Sequence, residues 1–307
     1  MTLSDNFINR ALFVGICLMW SFTWIAGKYQ VESGLSPEFG VLYRFTGVGI
    51  ISLICAFLLK RKLKTSKEEL RIIFIYTCGC ASFYMILLYY AAGYMITSIS
   101  AIIFSFTIII AGIIKHIFKL SSERIGVILS SFSIGIVGLF FIMLQKLHPE
   151  HSGNLKIGIS LALLSTFIYS LGSLYYEKNK NKITLKPFAM FVYVAIFSML
   201  ICFCVGIVKS IILGKIISYK PDEFSFAFVF SYFYLVFSAF GIMLMAMLIK
   251  RVGVVKASFV NITTPVFAVL TSSVFENYHI LNSTMFGIVL IVLSNYIILK
   301  YGKIKKS

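Results

Sequence analysis

The placement of the acidic residues constrains this chain most: all 11 Asp and Glu lie outside ten apolar stretches that fill most of its 307 residues. The stretches cover residues 12–26, 39–59, 72–92, 96–117, 125–144, 157–176, 188–208, 224–249, 254–275 and 284–299. Most approach the ~20 apolar residues with which a helix rising ~1.5 Å per residue crosses a hydrocarbon core of about 30 Å. Because the runs are continuous rather than alternating, helices are expected instead of a barrel. A soluble domain is excluded by composition, since 59 % apolar and 13 % charged residues leave too little polar surface to cover a core. The expected fold is an all-α integral membrane protein with ten transmembrane helices.

The net charge of +17 needs no nucleic-acid partner, because its distribution follows the membrane. Assigning Lys and Arg to alternate connections puts 21 on one face, and six on the other: Lys28, Lys146, Lys156, Lys209, Lys215 and Lys220. Arg44, the one assigned to a span interior, completes the 28. Positive-inside bias then sets both termini in the cytoplasm, as an even number of spans allows. A multi-pass protein of a bacterial cytoplasmic (inner) membrane is expected, with the lipid bilayer as its surroundings and room for a homodimer. The first run follows Arg10 as a signal peptide would, but Trp24-Ile-Ala-Gly27 is no A-x-A cleavage site, so this segment is expected to stay.

The connection from Gln145 to Lys156, which holds Pro149 and Ser152-Gly153-Asn154, divides the chain into 1–147 and 154–307 with five spans each. An odd number per half inverts the second half relative to the first. Weak internal similarity agrees in order. Gly15-Ile-Cys-Leu18 opens span one as Gly158-Ile-Ser-Leu161 opens span six, and Gly126-Val-Ile-Leu129 opens span five as Gly287-Ile-Val-Leu290 opens span ten. Two inverted five-helix repeats are therefore expected. All six cysteines lie inside spans and read as small apolar residues. Cys78 and Cys80 sit ~200° apart around a helix, as do Cys202 and Cys204, which suits no shared metal. No cofactor or metal is expected.

Enzyme chemistry at membrane depth needs an acid, base or metal ligand aimed into a cavity. His116, His148, His151, His279 and Glu276 fall instead at span ends or in loops, and no H-E-x-x-H or phosphate-binding G-x-x-x-x-G-K-[ST] motif is present. An integral membrane enzyme is a remote alternative. Arg44 lies ~10 Å below one membrane surface by helical rise. It has two readings: a fork of donors for a carboxylate or phosphate on a substrate, or a residue that caps carbonyls or snorkels toward Glu32 or Glu38. In span nine, Ser258, Asn261, Thr263, Thr264 and Pro265 cluster, and Pro265 frees the carbonyl of Asn261, so the helix can bend and present polar atoms. Its bland reading is a packing kink satisfied by its own threonines. Span four offers Ser98, Ser100, Ser105 and Thr107. Among many aromatics, including Trp24, Tyr89, Tyr90 and Tyr94, the candidates for cavity lining are Trp20, Tyr84 and Tyr169, each well inside its span.

Trp20-Ser-Phe-Thr-Trp24, Gly34-Leu-Ser-Pro37 and Tyr43-Arg44-Phe45 resemble the opening pattern of the EamA type of the drug/metabolite transporter superfamily. Lys250-Arg-Val-Gly253, Ala257-Ser258, Pro265-Val-Phe-Ala268 and Glu276 resemble its closing pattern. The chain departs from that pattern at Thr264, where many members carry a carboxylate, and at Ile108-Ile-Ile110, which has no proline. The resemblance implies ten helices in two inverted five-helix repeats around a path for small polar metabolites. The function expected is secondary transport, by alternating access, of an amino acid or nucleoside-like solute, with S-adenosylmethionine or another metabolite in exchange as the alternative. Substrate contacts are expected at Trp20, Arg44, Tyr84, Ser105, Tyr169, Asn261, Thr263 and Thr264, with Pro265 as the helix break. With no carboxylate assigned to a span, a facilitator or exchanger fits as well as an antiporter.

Overall fold

The computed structural model describes residues 3–20, 22–95, 97–118, 125–143, 154–214, 226–258, 260–261, 264 and 282–301. These residues fold into helices: α1 (Leu3–Trp20), α2 (Thr23–Glu32), α3 (Pro37–Leu58), α4 (Lys67–Thr77), α5 (Phe83–Ala92), α6 (Thr97–Ser105), α7 (Thr107–Ile117) and α8 (Ile125–Met143). The later ones are α9 (Leu155–Asn179), α10 (Pro187–Leu213), α11 (Phe226–Val252), the single turn α12 (Val254–Ala257) and α13 (Asn282–Tyr301). Local chemistry sets several ends. Pro37 and Pro187 occupy first turns, where no amide donor is missed, and the side chains of Ser66 and Asn154 accept from the amides of Glu69 and Lys156. Gly214 closes α10 in the left-handed conformation that glycine adopts without strain.

Among the described residues seven segments are long and apolar enough to cross a membrane: Phe7–Gln30, Pro37–Leu58, Lys67–Ala92, Ile99–Ile117, Leu155–Lys182, Pro187–Leu213 and Phe228–Val252. The fifth and tenth expected spans correspond to α8 and α13, and most of the ninth lies outside the described residues. The packing is inside-out relative to a soluble protein. Phe57 is 82 % exposed, whereas Ser82, Ser165, Thr166, Ser170, Ser173 and Ser198 are fully buried. The buried hydroxyls bond across or along helices, as Ser82 to Ser198 at 3.0 Å and Ser165 to the Tyr84 carbonyl at 2.8 Å. Close approach of α9 to the α4–α5 segment depends on Gly79 and Gly172: a methyl added to Gly79 would fall 2.6 Å from the Gly172 Cα.

Three of the seven long apolar segments are irregular. The first leaves regular helix at Phe22, and beside it the Thr23 hydroxyl bonds the Met19 carbonyl at 3.1 Å. Tyr234 from α11 accepts from the Phe22 amide at 3.2 Å and donates to the Met19 carbonyl at 3.1 Å. The third contains a π-helical turn, Cys78–Ser82. The fourth breaks at Phe106 without proline: Ser105 bonds the Ile102 carbonyl at 2.6 Å, Thr107 bonds that of Phe104, and the Phe106 amide turns back to Ile103 at 3.0 Å. The helix is thereby tightened and restarted by its own hydroxyls.

Side-chain bonds identify two ends of the bundle. At one, Glu38 of α3 meets Lys209 of α10 at 3.1 Å and Tyr90 of α5 at 2.8 Å. At the other, Glu69 of α4 accepts from the Thr184 and Leu185 amides at 2.7 and 2.8 Å, and Lys115 pairs with Glu177 at 2.8 Å. Here Gly253, at φ +84°, turns the chain between α11 and α12 beside Glu177.

Candidate functional site

All three irregular spans contribute to one cavity. It is lined by Trp20, Thr23 and Gly27 from the first, Tyr84, Met85, Leu88, Tyr89 and Ala92 from the third, Ser100 and Phe104 from the fourth, and Arg44 from α3. About 60 Å³ of it admits water centres, within about 610 Å³ of atom-free space that includes its opening. That room holds a few waters, by the ~10–15 Å³ each requires.

Arg44 is its only charged lining residue among those described and is 1 % exposed. One terminal nitrogen donates to Ser238 Oγ on α11 at 2.9 Å, the other to the Met85 sulfur at 3.5 Å, and Nε has no partner. Ser238 donates its own proton to the Leu235 carbonyl at 3.1 Å, and its carbonyl accepts from the Trp20 indole at 3.2 Å. Neither carboxylate that snorkelling would engage is used. Glu32 pairs with Lys28 at 3.5 Å and Glu38 with Lys209, so Arg44 faces only neutral acceptors among the described residues. Two further lining hydroxyls, Tyr89 Oη and Ser100 Oγ, are buried without partners. A guanidinium, a phenol and a serine hydroxyl therefore share one cavity with unused hydrogen-bonding capacity, an arrangement suited to an anionic group.

Trp20, Arg44 and Tyr84 thus line the cavity together. Tyr169 packs behind it, with its ring centroid 5.1 Å from Tyr84 and 4.9 Å from Phe104. Ser105 is buried one residue beyond Phe104 and bonds the Ile102 carbonyl, outside the lining. Asn261 and Thr264 are buried elsewhere: the Thr264 hydroxyl reaches the Asn261 carbonyl at 3.5 Å, while the Asn261 amide has no partner for its oxygen or nitrogen. Thr263 and Pro265 lie outside the described residues. Met85, Tyr89, Ser100 and Ser238 complete the surroundings of Arg44 but were not among the contacts expected from sequence. Ser100 and Tyr89 stood among the polar and aromatic residues of their spans, whereas Ser238 is one of two serines in an aromatic-rich helix.

Toward the end that carries Glu69 the cavity is backed by aromatic rungs. Below Tyr84 and Tyr169, each about two turns along its segment, Tyr76 and Tyr176 meet at 4.8 Å between centroids, and Tyr76 donates to the Ile242 carbonyl at 3.4 Å. Beyond them opens a second pocket with about 250 Å³ of water-accessible room, lined by Tyr176, Met190, Met243 and Met247 and by three cations, Lys186, Lys250 and Arg251.

An all-helical bundle with interrupted apolar helices and a buried charge facing a wet cavity defines a polytopic membrane protein of the solute-handling kind. The profile of the EamA-like transporter family matches residues 10–144 and again 156–300, so the chain belongs to that family, within the drug/metabolite transporter superfamily. An uncharacterized transporter of Buchnera aphidicola subsp. Schizaphis graminum is 29 % identical over 265 residues, 84 % of this chain and 82 % of that protein. Protein PagO of Salmonella typhimurium is 24 % identical over 293 residues, 94 % of this chain and 91 % of its own length. A crystal structure 13 % identical superposes with a TM-score of 0.57 over 97 % of both chains, a likeness of fold. The protein is a multi-pass membrane transporter.

Proposed function

We propose that the protein is a secondary transporter that moves a small polar organic metabolite across a bacterial cytoplasmic membrane by alternating access, and that the Arg44 cavity is its substrate site. The observation that carries this reading is a fully buried guanidinium with no opposing charge among the described residues, facing a cavity that admits water. Such a charge is costly at membrane depth unless a ligand uses it. Ten spans in two inverted halves, 1–147 and 154–307, are part of the proposal, supported by the two family matches within those halves. The end carrying Glu69, Lys115 and Lys250 is assigned to the cytoplasm with both termini, on the excess of cations there. The aromatic rungs then close the cytoplasmic side, and exchanging that closure for one near Glu38 is the transport step. Asn261, Thr263, Thr264 and Pro265 are assigned to the second-half part of the path.

Counterflow in proteoliposomes, screened over amino acids, nucleosides, S-adenosylmethionine and organic acids, tests the activity. Single cysteines at Ser100 and Asn261, in a chain lacking the six native ones, test the path. Both are expected to react with a small hydrophilic thiol reagent. Inertness of the cysteine at position 100 from both sides, in conditions that support counterflow, removes the cavity from the path.

A further inference from the structure

Resting on that reading, we infer that the site takes a compact monoanionic organic acid with a flat apolar body and discriminates against zwitterions, cations and dianions. Among the described residues the cavity carries one full charge, Arg44, and no carboxylate lines it. A single carboxylate neutralises that charge through the guanidinium fork, with the unpartnered Nε, Tyr89 Oη and Ser100 Oγ supplying further donors. An ammonium group on the same molecule would be buried close to Arg44 without a compensating anion, since like charges in a poorly solvated site disfavour each other. A second carboxylate would leave one negative charge uncompensated in the same way. Apart from Thr23, whose hydroxyl is bonded to the Met19 carbonyl, the rest of the described wall is aromatic or apolar: Trp20, Tyr84, Phe104 and Leu88 offer ring faces and alkyl surface to a planar body. Aromatic faces also attract cations, but here Arg44 already sits among them and repels a second positive group.

The second pocket supports the same sign of substrate. Its cations, Lys186, Lys250 and Arg251, line a concavity beyond the Tyr76–Tyr176 rung, where they raise the local concentration of anions. Both concavities along this segment therefore favour negative solutes, one by a buried, directed fork and the other by a cluster of cations around a roomier pocket.

A matched series on one phenyl ring tests the inference: 3-phenylpropionate, phenylalanine, phenethylamine and phenylsuccinate differ mainly in charge. With the full chain in lipid nanodiscs and Trp24 replaced by Phe, Trp20 is the sole tryptophan and reports binding by fluorescence. Saturable quenching by 3-phenylpropionate is expected, with each of the other three at least ~10-fold weaker. Arg44→Gln should abolish it. Tyr89→Phe, which removes a buried hydroxyl beside Arg44 that no backbone group uses, should weaken it several-fold. Binding of phenylalanine, phenethylamine or phenylsuccinate within that tenfold margin overturns the inference, as does binding unaltered by Arg44→Gln and Tyr89→Phe. If none of the four binds while the cysteine at position 100 still reacts with the hydrophilic reagent, the substrate class falls and the pathway stands. If none binds and that cysteine is inert, both fall.

Discussion

Glu38 and Arg44 lie on one helix, six residues or ~9 Å apart along its axis, and both are buried, yet the bundle treats them in opposite ways. Glu38 is met by a cation and a phenol, Lys209 at 3.1 Å and Tyr90 at 2.8 Å, with Lys209 also over the Tyr90 ring at 4.8 Å from its centroid. Arg44 is met by a hydroxyl and a thioether, and part of its donor set is left over. A compensated charge fastens three helices; an uncompensated one keeps its electrostatic energy for whatever enters the cavity. On the proposed reading the difference separates a fastening from a substrate site, and substitutions at the two positions should therefore diverge.

The largest effect is expected at Arg44. Arg44→Gln should lower counterflow by at least ~100-fold, the loss of two charge-assisted hydrogen bonds, and Arg44→Lys should fall between it and the parent. Measured at equal membrane abundance, this order ties activity to the fork rather than to charge alone. The comparison breaks if Lys and Gln behave alike.

Next comes Glu38→Gln, expected to cost about 2–3 kcal/mol of stability, below the figure for a fully buried pair because Lys209 remains 29 % exposed. Thermal unfolding of purified protein reads this, and counterflow per folded molecule should change little. A collapse of activity with stability retained would instead give Glu38 a role in transport.

The smallest effect is expected at Gly241, where an added methyl group would collide with the Trp20 indole nitrogen. Gly241→Ala should displace Trp20 from the Ser238 carbonyl and weaken binding of 3-phenylpropionate several-fold. Equal affinity in this variant would show that Trp20 placement is unimportant to the cavity.

How much of this was legible in the sequence depended on the kind of signal. Charge and apolar length are additive properties, so the all-helical membrane character, the seven long apolar segments and the anomaly of Arg44 could be read directly, and Trp20 and Tyr84 followed from depth along their helices. The apolar pattern puts Glu38 just outside a span, yet it is fully buried, because Lys209 and Tyr90 from other helices fold over it. The break at Phe106 carries no proline signal; it is made by Ser105 and Thr107, whose hydroxyls are equally at home in a continuous helix. Ser238 gains its place only because α11 runs close to α1 and α3, at Gly241 beside Trp20 and at Gly47, where an added methyl would lie 2.6 Å from Val236. Such positions are set by pairs of helices and cannot be read from either alone.

The claim that Arg44 is held uncompensated for a ligand is tested most directly by the thermal midpoint of Arg44→Met in nanodiscs without substrate. An apolar side chain of similar length removes a buried charge that no carboxylate offsets among the described residues, at the cost of one hydrogen bond to Ser238. The midpoint is predicted to stay level or rise, in a protein that no longer gives counterflow. A midpoint that falls as far as that of Glu38→Gln would contradict the account and make Arg44 a structural fastening like its neighbour.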